Sequence, residues 1–176
     1  MFKRFAVAVM SWLAIGGPAA QASPPSGSVK DWSFRKLDGD RAIASTGNGS
    51  GSSLGVYCVA KRDCQIYLAT DTGCEDARTY TLLLNASSAA FALSSTCHGI
   101  SNPGEKQRFV FFLDDFNTVL ATMMKDHTVG FAIPVAGEQF KVTRFSLEGS
   151  NEALAALSSL LKDGKPKPAV SHDRVL

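Results

Sequence analysis

What this chain lacks narrows its function before any feature in it suggests one. It has no C-x-x-C pair, and its three histidines, His98, His127 and His172, have no ligand-like spacing, so no metal site and no cofactor are read from it. It has no G-x-S-x-G, no H-E-x-x-H and no paired-carboxylate pattern that marks a cleft. Its longest apolar run, from Phe5 to Ile15, is about half the roughly 20 residues that a membrane-spanning helix needs. It also lacks a charge excess, as the N-terminus makes plain.

Lys3 and Arg4 precede that apolar run, and Gly16-Gly17-Pro18 and the small-residue triplet Ala20-Gln21-Ala22 follow it. This is the pattern of a secretory signal peptide. Residues 1–22 are therefore expected to be a cleaved signal, and the mature protein to begin near Ser23 in the periplasm or outside the cell, with no stable membrane insertion. No cysteine follows the expected cut, so a lipid-anchored end is not expected. Of the 18 Lys and Arg, two lie in the signal, leaving 16 against 16 Asp and Glu. A balanced chain has no strong field to steer it toward nucleic acid or anionic lipid. Nucleic acid is accordingly not an expected partner.

All four cysteines, Cys58, Cys64, Cys74 and Cys97, fall between Leu54 and Cys97. In an exported chain they point to two disulfides rather than free thiols. The stretch alternates as strands over Leu54–Ala60, Cys64–Thr70, Arg78–Asn85 and Ala89–Thr96, separated by turn-forming segments. Cys58 and Cys64 flank the tight Lys61-Arg62-Asp63 turn, where facing strand residues come within bridging distance. If Arg78–Asn85 pairs antiparallel with Ala89–Thr96, Cys97 emerges close to Cys74. Geometry thus favours Cys58–Cys64 and Cys74–Cys97 among the three possible pairings.

Ahead of this module, Ser23–Ser28 reads as a mobile Pro/Ser/Gly leader. Asp31–Leu37 and Arg41–Thr46 read as a hairpin, with Trp32, Phe34 and Leu37 competing for its inner face. The glycines of Gly47–Ser53 invite a phosphate-loop reading, but no Gly-Lys-Ser/Thr ending and no helical pattern follow, so the segment is read as a flexible loop.

After Cys97 the order becomes β-α-β-β-α. Lys106–Phe112 is a strand. Asp114 or Asp115 caps a helix whose Phe116, Val119, Leu120 and Met123 recur at helical spacing. Carboxylates at a helix start are ordinarily caps rather than an acid/base pair. Thr128–Val135 and Glu138–Phe145 form a hairpin across Ala136-Gly137, with Phe131, Ile133 and Val135 alternating on one face and Phe140, Val142 and Arg144 on another. A second helix starts near Ser150, read as its cap, and carries Leu154, Leu157, Leu160 and Leu161 before Lys162 and Gly164 end it. The expected fold is α+β: an antiparallel β-rich domain, sandwich or meander, over residues 23–164, with two covering helices in the C-terminal half, two disulfides and a disordered tail over 165–176.

The ending Arg144-Phe145-Ser146-Leu147-Glu148-Gly149-Ser150, continued by Ala153-Leu154, resembles the "S-L-x-G, small or aromatic, x-x-A-L" ending of invasion-associated locus B-like proteins. Trp32 and the strands bearing Cys58 and Cys64 add to the resemblance. The chain departs from that pattern in having no cysteine after Trp32 within its strand and Leu113-Asp114 where a Gly-Cys step is expected. The stretch from Leu54 to Cys97 also resembles small exported Gram-negative proteins with four cysteines. The first resemblance implies a β-rich exported protein with no assigned catalytic chemistry, the second an exported protein, and neither supplies a functional residue.

Cys97-His98 and Cys74-Glu75 juxtapose a nucleophile and a base in sequence. Adjacent strand residues, however, point to opposite faces, and exported cysteines are usually oxidised. Two readings remain. In one, the chain is a non-enzymatic module of the bacterial cell envelope whose exposed strand edge or aromatic face binds another envelope protein. In the other it is an envelope hydrolase with a dispersed polar site drawn from His98, His127 and Asp114. The sequence leans toward the first without deciding whether the chain is an enzyme. The two differ in geometry: polar groups converging in a pocket, or an exposed apolar or edge surface.

Overall fold

The computed structural model describes residues 26–37, 39–60, 62–100 and 107–161. The expected signal (1–22), the tail (165–176), His172 and the Lys162–Gly164 helix stop lie outside the described residues.

Ten strands and two helices follow one another along the chain: β1 (Ser26–Val29), β2 (Trp32–Lys36), β3 (Arg41–Gly47), β4 (Ser53–Val59), β5 (Cys64–Thr70), β6 (Thr79–Ala86), β7 (Ala90–Ile100), β8 (Arg108–Leu113), α1 (Phe116–Lys125), β9 (Thr128–Val135), β10 (Gln139–Ser146) and α2 (Ser150–Leu160). All the strands join one antiparallel sheet in the order β1-β2-β3-β4-β5-β8-β7-β6-β9-β10. The protein is mostly β, with both helices in its C-terminal half. Period-two alternation builds the strands. In β3, for example, Ala42, Ala44 and Thr46 are buried while Arg41, Ile43 and Ser45 between them are not.

β1 to β5 are a simple meander, but the chain then breaks sequential order. β6, β7 and β8 pair in turn, and β8 returns beside β5. This is a Greek-key arrangement, and its long connection, residues 71–78, carries Cys74. The two disulfides are Cys58–Cys64, across the β4–β5 hairpin with a Cα separation of 4.1 Å, and Cys74–Cys97, with 6.5 Å. No cysteine is left unpaired.

The sheet curls until its ends meet, through side chains and turns rather than a further ladder. The indole N–H of Trp32 donates to the Ser146 carbonyl at 3.2 Å, and the Asp31 amide to the Glu148 carbonyl at 3.3 Å. Asn48 Nδ2 donates to Thr143 Oγ1 at 2.7 Å and to the Arg144 carbonyl at 3.1 Å. One contiguous buried cluster fills the inside, with Trp32, Phe111, Phe131 and Met123 among its most fully enclosed members. α2 packs on β1, β2 and β3, where the inner face carries the small Ala42 and Ala44, and α1 reaches β5 and β9.

Two local expectations are corrected. Ser26–Val29, expected within a mobile leader, is strand β1, paired with Trp32–Arg35 of β2. Gly27 makes that pairing possible: it faces Phe34, and a Cβ there would stand 2.6 Å from the end of the Phe34 ring. Ser150 is not the cap of α2. Gly149, at φ +90°, takes that place, and the Ser150 hydroxyl instead donates to the Met123 carbonyl at the end of α1. Asp115 caps α1 as expected, accepting from the Thr118 amide at 3.2 Å.

Candidate interaction surface

The polar residues singled out from the sequence do not converge. His98 faces outward on β7 opposite Val110, with its ring edge against Phe112 (centroids 5.8 Å apart) and its Nδ1 3.4 Å from the Asp76 carboxylate. His127, between α1 and β9, is 88% exposed, and its Nδ1 lies 2.6 Å from Glu148 Oε1. Asp114 is exposed beside the first turn of α1, and its amide donates to the Ser94 carbonyl. These are three separate sets of contacts, and no described contact joins them. Among the described residues no group of His, Cys, Asp and Glu is placed to hold a metal ion.

Carboxylates that the sequence reading passed over have structural work. Asp126 follows α1 and accepts from the Ser87 and Ser88 hydroxyls and the Ser88 amide, which anchors the β6–β7 turn to the helix end. Those hydrogen bonds hold its carboxyl below the usual range. An aspartate after the last helical turn opposes the helix dipole, and that mismatch is the one sequence signal for a tertiary partner. Glu148 takes Lys30 Nζ at 2.8 Å on one oxygen and His127 on the other, and the Lys30 and His127 hydrogen bonds lower its pKa. Asp71 pairs with Lys141, which lowers the Asp71 pKa in the same way. At the same end of the sheet the buried hydroxyls of Ser52, Thr70 and Thr72 bond to one another.

An apolar cleft of about 240 Å³ opens between α1 and α2. Leu120, Met124, Leu154 and Leu161 line its walls, and the buried Cys58–Cys64 bridge forms part of its floor. Its polar members are already satisfied: Asn151 Nδ2 donates to the Met124 carbonyl and Ser158 Oγ to the Leu154 carbonyl.

The outer side of β6, β9 and β10 is different in kind. Leu83, Ala132 and Val142 stand in register across the three strands, and Phe140 lies two residues from Val142 on the same side, opposite Pro134. Leu83 is 45%, Phe140 56% and Val142 60% exposed. β10 is also a terminal strand of the sheet. Only its C-terminal half meets Asn48 and Trp32, through the hydrogen bonds to Thr143, Arg144 and Ser146. These apolar side chains are therefore grouped on one exposed side beside a sheet edge, rather than scattered singly. No described helix is long and apolar enough to cross a membrane.

No protein-family model matches the chain, and no curated protein matches it. Among solved structures it is similar to the crystal structure of invasion associated protein B from Bartonella henselae, with a TM-score of 0.58 and 16% sequence identity, over 79% of this chain and 99% of that one. At that identity the likeness is one of fold, and it spans nearly the whole of the solved chain.

Proposed function

We propose that this chain is a non-enzymatic exported protein of the bacterial cell envelope, periplasmic or secreted, that docks another envelope protein through the outer side of β6, β9 and β10. The observation that carries this reading is the registered row Leu83, Ala132 and Val142 with Phe140 beside it, apolar and exposed next to a sheet edge. The similarity in fold to invasion associated protein B supports an envelope or virulence-related setting. Two disulfides support an oxidising compartment. The separate engagement of His98, His127 and Asp114 weighs against their acting together as a hydrolase site.

Complementation of a deletion strain at matched protein levels tests it. Val142→Asp or Phe140→Asp places an unpaired charge in the contact and is expected to abolish function in folded protein. His98→Ala, His127→Ala and Asp114→Asn are each expected to complement fully. Loss of function in two of these three, in well-folded protein, hands the reading to the enzyme.

A further inference from the structure

The charges on the sheet are of one sign. None of the ten strands contains an aspartate or glutamate, whereas Arg35, Lys36, Arg41, Arg108, Lys141 and Arg144 all lie within strands. The acids of the described residues stand in turns and at helix ends. A chain whose net charge is only +2 therefore carries a cationic sheet surface, and alternation sends Arg35, Arg41 and Arg108 to its outer side.

Between Arg35 and Arg108 lies an aromatic floor. Tyr67 on β5 faces Gly55 on β4 and Phe112 on β8. Its ring lies along the sheet because Gly55 has no side chain: a Cβ there would stand 2.7 Å from the Tyr67 hydroxyl and 2.5 Å from the Ala44 carbonyl oxygen. Tyr67, Ala69 and Val110 form a second apolar cluster, apart from the main core, with Tyr57 and Phe112 half-buried against it. Burial raises the Tyr67 pKa, and the Ser45 and Ser53 hydroxyls together with Arg35 and Arg108 oppose that rise, which puts both guanidinium groups within electrostatic reach of one tyrosine. The same side presents Ser33, Ser45, Ser53, Gln65 and Thr96.

We infer that this outer face, Arg35 and Arg108 flanking the floor of Tyr57, Tyr67 and Phe112, binds an acidic polysaccharide, a chain of sugar rings bearing carboxylate or sulfate groups. Charge complementarity requires an anion, and guanidinium groups suit carboxylate and sulfate through paired N–H donors; Arg108 donates from one Nη to the Gly51 carbonyl at 2.8 Å, and a guanidinium has further N–H groups to offer. β2 and β8 lie four strand spacings apart, about 19 Å, and the register offsets Arg35 and Arg108 along the strands as well, a separation that suits repeated charges along a polymer rather than one small anion. The surrounding hydroxyls and amide suit a hydroxyl-rich ligand, and flat rings suit the apolar faces of sugars. An acidic peptide is less well matched, since β3, β4, β5 and β8 are paired on both sides and offer no unpaired backbone. Nucleic acid would call for more cations, given the roughly 6–10 phosphate contacts of strong binders. This face is separate from the apolar one on β6, β9 and β10, and the inference does not rest on the docking proposed there.

Titration calorimetry of the purified mature protein with a heparin octasaccharide (sulfate) and with oligogalacturonate (carboxylate) tests it. At least one should bind at low salt and weaken as salt rises. Arg35→Ala/Arg108→Ala should lower the affinity about tenfold or more, equivalent to about 1.4 kcal/mol, and Tyr57→Ala several-fold. Val142→Asp should bind as wild type. Both arginines are exposed, so circular dichroism is expected to show native folding, and Arg35→Gln/Arg108→Gln repeats the test with side-chain bulk kept. The inference is overturned if neither oligosaccharide binds, if both double variants bind as wild type, or if a single-stranded oligonucleotide binds more tightly than either sugar.

Discussion

The β4–β5 hairpin and the connection from Asp71 to Arg78 are each closed by one disulfide, and the bond does different work in the two. In the hairpin, Cys58 and Cys64 are already opposed by the ladder, six residues apart in sequence. The bridge there reinforces a pairing that a short turn and backbone hydrogen bonds also specify. In the connection, no ladder holds Cys74. The bridge to Cys97, 23 residues away, pins to β7 the segment that carries the chain past β8 and β7 to reach β6. Backbone bonds support it at one end, where the Ala77 amide donates to the Cys97 carbonyl and the Cys97 amide to that of Arg78. A staple on a local contact thus adds stability to structure that its neighbours already specify, while one on a long connection secures the topology.

This difference gives the largest expected effect. On the chain-entropy model, closing the longer loop is worth about 3.4 kcal/mol and the shorter about 2.3 kcal/mol. Cys74→Ala/Cys97→Ala should therefore lower the urea midpoint more than Cys58→Ala/Cys64→Ala does. Equal shifts, or the reverse order, would mean that the connection is held by its hydrogen bonds and that the comparison fails.

Leu157→Ala comes next, at about 2–4 kcal/mol for a buried leucine. Leu157 is 2% exposed and lines the cleft over the Cys58–Cys64 bridge, so the same variant sharpens the comparison chemically. In the wild type, Cys58 and Cys64 are 2% and 4% exposed, whereas Cys74 is only half-buried. Limited reduction followed by alkylation and peptide mapping should open Cys74–Cys97 first. In Leu157→Ala, the lag before Cys58–Cys64 opens should shorten. An unchanged midpoint would show that α2 does not pack on this core.

Much of the hairpin region was legible in the sequence, and much of the connection was not. Alternation and turn composition place β5 at Cys64–Thr70, the bounds read from the sequence, and neighbouring strands within a few residues. Both disulfides follow from local pairing and export. Strand order depends on contacts between residues far apart, which no local period records, so the return of β8 to β5 was not visible. β1 was hidden because Ser26-Gly27-Ser28-Val29 has loop composition, and it becomes a strand through Phe34 lying over Gly27. The outer surfaces were half legible. Alternation alone puts Phe140 and Val142 on a face apart from Phe131 and Ile133, but their register with Leu83 depends on the order β6-β9-β10.

The smallest effect concerns a seam that has no covalent staple, where the sheet ends meet. Glu148 joins them by accepting from Lys30, after β1, and bonding His127, before β9. Its pKa is held below the ordinary 4.5, first by the hydrogen bond from Lys30 and then by that with His127. The sign follows from linkage: a carboxylate with a lowered folded pKa contributes stability above its unfolded pKa, and that contribution is lost as pH falls through the folded value. Stability should therefore decline as pH drops below about 4.5, with Asp71 and Asp126, also lowered, adding to the decline. Glu148→Gln keeps the shape and removes the charge, so its urea midpoint should lie slightly below wild type at pH 7 and converge on it as pH falls through the lowered folded pKa of Glu148. Both partners of the pair are largely exposed, so the difference should be small and shrink with added salt. Parallel pH profiles for the two proteins, separated by a constant offset, would show that Glu148 acts through packing rather than through its charge.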